Sequence, residues 1–100
     1  MKIEYLDTSE DGLLWMTRYY ARVFSAGRKN GRAQFAKATQ QLLENPLVGR
    51  KFDGLENIRE CKITRTPFSI IYTVVGDVIY VIDVRDQRGL RMVAGLERFE

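Results

Sequence analysis

Three apolar segments, at residues 57–65, 68–75 and 78–85, follow one another with only Pro67 and Gly76-Asp77 as punctuation. Connections this short leave no room for the helical crossover that parallel neighbours require, so consecutive segments must run antiparallel as a meander. In the middle segment Phe68, Ile70, Tyr72 and Val74 alternate with Ser69, Ile71, Thr73 and Val75, which makes both faces largely apolar, as in a central strand. A sheet of this kind needs apolar cover, and the rest of the chain has to supply it.

Upstream, Ile3 and Tyr5 alternate with Glu4 and Leu6, the pattern of a short first strand. Thr8 and Ser9 offer N-caps. Leu13, Met16, Tyr20 and Val23 then form a helical stripe that Trp15, Tyr19 and Phe24 widen, predicting an amphipathic helix over 9–25. Ala26, Gly27 and Asn30-Gly31 predict a loop. A second helix over 31–44 gathers Phe35, Ala36, Thr39, Leu42 and Leu43 on one face and stops at Asn45-Pro46, because proline cannot continue the hydrogen-bond ladder. The order β-α-α-β-β-β predicts an α+β domain in which a helical hairpin packs on a small, mainly antiparallel sheet. At 100 residues the chain is read as one domain, 1–100. The hairpin covers one sheet face; the other has no evident cover and is expected to be a partner surface.

The reactive inventory is short. With no histidine, the commonest general base and metal ligand is missing, which excludes Ser-His-Asp and Cys-His constellations. Cys61 is the only cysteine and reads as core filler. Glycine-rich phosphate loops are absent as well. Asp83 and Asp86 are a pair of carboxylates, but their odd spacing points them to opposite strand faces beside Arg85 and Arg88, so no metal and no cofactor is expected. No run approaches the roughly 20 apolar residues of a membrane span, and the acidic start MKIEYLDTSEDG does not resemble a signal peptide. The expected compartment is the cytoplasm.

Charge is unevenly spread. Residues 28–65 hold nine Lys or Arg against four acids, a local +5, while each flank is −1. That suits phosphate contact, an acidic protein partner or an ordinary solvated face. Arg59, Lys62 and Arg65, placed on one strand, and Arg85 and Arg88, at the exit of the last, form a cationic rim able to grip phosphates or to stabilise charge on a phosphorane. The bland reading is local pairing, Arg59 with Glu56 or Glu60 and Arg85 with Asp83 or Asp86. Trp15, Tyr19, Tyr20 and Phe24 likewise read as core packing, or as a groove for an amphipathic partner helix.

The helix end L-L-E-N-P-L-V-G-R, followed by I-R-E, R-T-P-F-S-I-I-Y and V-R-D-Q-R-G, resembles the RelE/ParE family of bacterial toxins over nearly the whole chain. The resemblance implies the toxin of a type II toxin-antitoxin pair, neutralised by a cognate antitoxin whose amphipathic C-terminal segment wraps across it. Two activities occur in the family, and the fold does not choose between them. The RelE-like branch is implied to cut mRNA on the ribosome, and the ParE-like branch to poison DNA gyrase and block replication.

RelE-like enzymes generally carry an arginine where this chain has Ser69, and often a histidine where it has Asp86; Phe99 is the only aromatic residue after Tyr80. Lys62 and Arg88 match basic positions, and with Arg65 they would be the catalytic set of a nuclease. The long hairpin with its R-K-N-G-R turn resembles the ParE-like branch instead. The resemblance therefore implies a gyrase inhibitor without chemistry of its own, the alternative being a ribosome-dependent mRNA endoribonuclease. Arg59, Lys62, Arg65, Arg85 and Arg88 are expected to engage the target, and Trp15, Tyr19, Tyr20 and Phe24 the antitoxin. No membrane partner and no small-molecule cofactor is expected.

Overall fold

A computed structural model describes residues 1–23 and 27–99. Strand β1 (Lys2–Tyr5) leads through a 3-10 turn at Asp7–Ser9 into α1 (Glu10–Val23), and α2 (Gly27–Glu44) follows. Then come β2 (Arg50–Lys51), β3 (Arg59–Lys62), β4 (Phe68–Val75) and β5 (Val78–Asp86), with a last 3-10 turn at Leu96–Arg98. The five strands form one sheet in the order β1-β5-β4-β3-β2. The meander is antiparallel as expected, whereas β1 joins the far edge parallel to β5, with Lys2 opposite Val78 and Tyr5 opposite Val81. The α+β architecture of two helices on a small mixed sheet stands. Among the described residues no helix is long and apolar enough to cross a membrane.

On the helical side Met16, Tyr20, Ala38 and Leu42 pack against Cys61, Phe68, Ile70, Tyr72, Ile79, Val81 and Val84. Each large apolar side chain so buried contributes roughly 1.5–3 kcal/mol. Cys61 is buried in this layer. The hairpin differs from expectation at Asn30-Gly31, which lies inside α2 rather than in a loop. Gly31 is a contact glycine: a Cβ there would lie 2.6 Å from the Tyr20 ring, so its bare backbone lets α2 approach α1. Gly27, also expected in the loop, is the first residue of α2, while Ala26 and Phe24 fall outside the described residues.

The opposite sheet face is covered, contrary to expectation. Ile58, Ile71 and Ile82 form a second apolar cluster, closed by Leu6, Phe52 and Leu55 and, from the C-terminal segment, by Val93, Leu96 and Phe99. That segment is pinned by Asp83, which is fully buried and accepts hydrogen bonds from the Ala94 N–H and from Arg91. A bulge in the β4–β5 pairing, where Ile71 faces Asp83 but Tyr72 faces Val81, makes Ile82 the extra residue of β5.

Candidate interaction groove

The loop after α2 is fixed from two sides. The Tyr72 hydroxyl donates to the Pro46 carbonyl at 2.7 Å and accepts from the Gly49 N–H at 2.9 Å. Arg59 donates from Nη1 to the carbonyls of Gly49, at 2.7 Å, and Leu47, at 3.4 Å. Neither expected partner, Glu56 or Glu60, takes this arginine; Glu56 pairs with Lys51. Arg59 is thus a brace that holds the wall of an open groove of about 730 Å³ beside β3.

Strand register builds the groove's charged centre. Lys62 lies opposite Ser69, and Ser69 opposite Arg85, so the three stand side by side across β3, β4 and β5. Two residues along, Glu60 reaches back among them. Its Oε2 accepts from Ser69 Oγ at 2.5 Å and from Arg85 Nη1 at 2.7 Å, and its Oε1 lies 3.8 Å from Arg50 Nη2. Only 6% of the Glu60 side chain is exposed, against 37% for Arg85 and 82% for Arg50. Burial by itself raises the Glu60 pKa, but the hydrogen bonds from Ser69 and Arg85 and the charges of Arg85 and Arg50 outweigh it and hold the carboxyl below its ordinary value. Lys62 is exposed and pairs with no carboxylate among the described residues.

The remaining predicted cations lie elsewhere. Arg88 bonds Asp86 through Nε at 3.0 Å and Nη2 at 2.8 Å, and its guanidinium lies 4.6 Å from the Tyr19 ring centre. Asp86 also accepts from Trp15 Nε1 at 2.7 Å. Burial pushes the Asp86 carboxyl up, yet the Arg88 and Trp15 hydrogen bonds prevail and bring it down to about 2. Arg65 is not on the strand with Arg59 and Lys62, as expected, because β3 ends at Lys62; it occupies the turn to β4 with φ 64° and is exposed. The five-residue rim therefore divides: Lys62 and Arg85 meet in the groove, Arg88 joins the α1 aromatics, Arg59 braces a loop, and Arg65 stands apart. Arg85 pairs with Glu60 rather than with Asp83 or Asp86.

Two groove residues escaped the sequence reading. Arg50 sits in the V-G-R tail of the helix-end motif, and Glu60 reads from the sequence as a partner for Arg59. Of the aromatic set, Trp15 and Tyr19 are half-buried, and Tyr20 is a core residue at 6% exposure. Chemically, the groove offers cations to an anion. Glu60, the one carboxylate in its lining among the described residues, is already engaged on both oxygens, and the chain has no imidazole to move a proton.

A family model described as the ParE toxin of type II toxin-antitoxin system, parDE, matches residues 3–90. The chain belongs to the ParE toxin family. No curated protein matches its sequence. Among solved structures, a chain of the chromosomal ParDE TA system from P. aeruginosa superposes with a TM-score of 0.62 at 16% identity, covering 86% of this chain and 95% of that one. The isolated E. coli RelE toxin gives a TM-score of 0.54 at 18% identity, covering 84% and 81%. A chain of the intact E. coli RelBE toxin-antitoxin complex gives 0.53 at 19%, covering 82% and 90%. This ParE family member thus shares its fold with both ParDE and RelE structures.

Proposed function

We propose that this toxin is ParE-like in action: it inhibits DNA gyrase by binding, blocks replication, and is neutralised by a cognate antitoxin. The observation that carries this reading is the engagement of Glu60. Ser69, Arg85 and Arg50 surround the one carboxylate that lines the groove among the described residues, so the groove presents cations to an anion while that carboxylate is not free to abstract a proton from a ribose hydroxyl. Membership of the ParE family points the same way. The RelBE relative is described as a toxin-antitoxin complex, which supports an antitoxin partner for this chain.

Target contact falls to the groove cations Arg50, Lys62 and Arg85, with the exposed Arg65. The α1 face with half-buried Trp15 and Tyr19 and exposed Leu14 is the antitoxin side. The test is a supercoiling and DNA-cleavage assay with purified gyrase, run beside translating ribosomes carrying a defined mRNA. Lost supercoiling with intact mRNA is the expected result. Codon-positioned mRNA cuts with normal supercoiling would establish the nuclease reading in its place.

A further inference from the structure

We infer that the groove receives an acidic peptide segment of a protein partner, and that Glu60 is the internal counter-anion against which that segment competes. This rests on the reading that the toxin acts by binding a protein. Arg50 and Arg85 pair with Glu60 and Lys62 lines the same groove, so its described lining carries a net charge of +2 around about 730 Å³. Two of the three cations are arginines, whose planar fork matches a carboxylate with two parallel hydrogen bonds. Glu60 uses Nη1 of Arg85, and among the described residues no other acceptor takes that guanidinium.

The lining favours a peptide over a nucleic acid. No aromatic residue is among the groove's described lining, and Phe52, whose ring centre lies 5.7 Å from the Arg85 guanidinium, packs against the second apolar cluster, so the groove lacks the stacking platform from which single-strand binders draw affinity. Val48 in its wall and the adjacent Leu47 are 39% and 61% exposed, and they give aliphatic neighbours to the cations. Carboxylates interspersed with aliphatic side chains are the complementary chemistry.

Glu60 tunes the interaction. It is buried and hydrogen-bonded by Ser69, so it cannot swing away, and its charge offsets part of the field that an incoming carboxylate meets. Glu60→Gln keeps an acceptor for Ser69 and Arg85 but removes that charge.

The experiment measures fluorescence anisotropy of a labelled glutamate-leucine decapeptide, and of a labelled single-stranded oligonucleotide of similar length, with the whole toxin at low salt. Supporting results are peptide binding that weakens about tenfold in the Arg50→Ala, Lys62→Ala double variant and tightens severalfold in Glu60→Gln. Both residues of the double variant are solvent-exposed, so it keeps the inference falsifiable even where Glu60→Gln fails to fold. Peptide affinity unchanged by the double variant overturns the inference, as does tighter binding of the oligonucleotide with the same dependence on Arg50 and Lys62. Gyrase assays on the same proteins separate the two readings. Groove-dependent peptide binding without gyrase inhibition leaves this inference standing and removes the proposed function. Gyrase inhibition insensitive to the double variant, with no peptide binding, removes the inference alone.

Discussion

Asp83 and Arg91 form the ion pair that decides where the C-terminal segment lies: Nη1 of Arg91 is 3.0 Å from both carboxylate oxygens of Asp83, and it also donates to the Val84 carbonyl at 2.8 Å. Asp83 is fully buried, and burial pushes its carboxyl up against the pull of the Ala94 and Val84 N–H groups and of Arg91. Arg91→Ala leaves that carboxylate buried without its cation, which costs about 3 kcal/mol. The expected outcome in urea denaturation is a loss of that size, with faster amide exchange over residues 93–99 as Val93, Leu96 and Phe99 leave the second core.

Acid should weaken the fold through Asp86. Its carboxyl ionises at about 2 in the folded chain, against an ordinary 3.8. A depressed folded pKa means that the native state holds its proton more weakly than the unfolded chain does. The stabilisation is therefore complete above about pH 5 and is lost as the pH falls through 4 towards 2, reaching about 2 kcal/mol. Glu60, also held low, adds in the same direction. Denaturation midpoints followed from pH 7 to pH 2 should fall steeply in the wild type and more gently in Asp86→Asn.

Legibility of the fold followed the strength of the local pattern. The meander was readable because strict alternation and two turns act within a few residues of one another. Strand β2 was not: it is two residues long, and only pairing with Arg59 and Glu60 makes Arg50–Lys51 a strand. Four alternating residues announced β1 but could not name its partner, the last strand of the sheet. The second face looked bare because the segment covering it is positioned by Asp83 and Arg91, a contact that periodicity does not carry. The site divides similarly. Residue types marked out the cations, while register and the bulge at Ile82 determined that Lys62 and Arg85 meet in the groove and Arg88 joins the α1 aromatics. Arg50 went unread because a two-residue strand carries no period.

Gly31 tests the reinterpreted hairpin. If it were a loop residue, Gly31→Ala would be neutral, and a free helix interior would gain about 1 kcal/mol from alanine. Here the added methyl meets the Tyr20 ring, which is held edge-on against Tyr19 with ring centres 5.2 Å apart and packs against Phe68. Overpacking of this kind costs about 1–3 kcal/mol, so a net loss of about 1 kcal/mol is expected in chemical denaturation. A Gly31→Ala, Tyr20→Leu double variant should recover part of it.

Toxicity should separate Lys62 from Arg88, although both match basic positions of the RelE-like pattern. Lys62 is exposed and has no carboxylate partner among the described residues, so Lys62→Glu reverses the groove's free charge and leaves the core untouched. Growth arrest on induction should disappear while the melting temperature stays within a few degrees of wild type, a surface substitution costing about 0.5 kcal/mol or less. Arg88→Glu instead sets a second acid against the buried Asp86 and removes the cation from the Tyr19 ring. It should therefore lower stability by about 3 kcal/mol or more, and any loss of toxicity will follow the loss of folded protein. Growth curves read beside circular-dichroism melts of the same two variants make the distinction: a folded, harmless Lys62→Glu protein assigns the groove to target contact, whereas a folded and fully toxic one removes Lys62 from it.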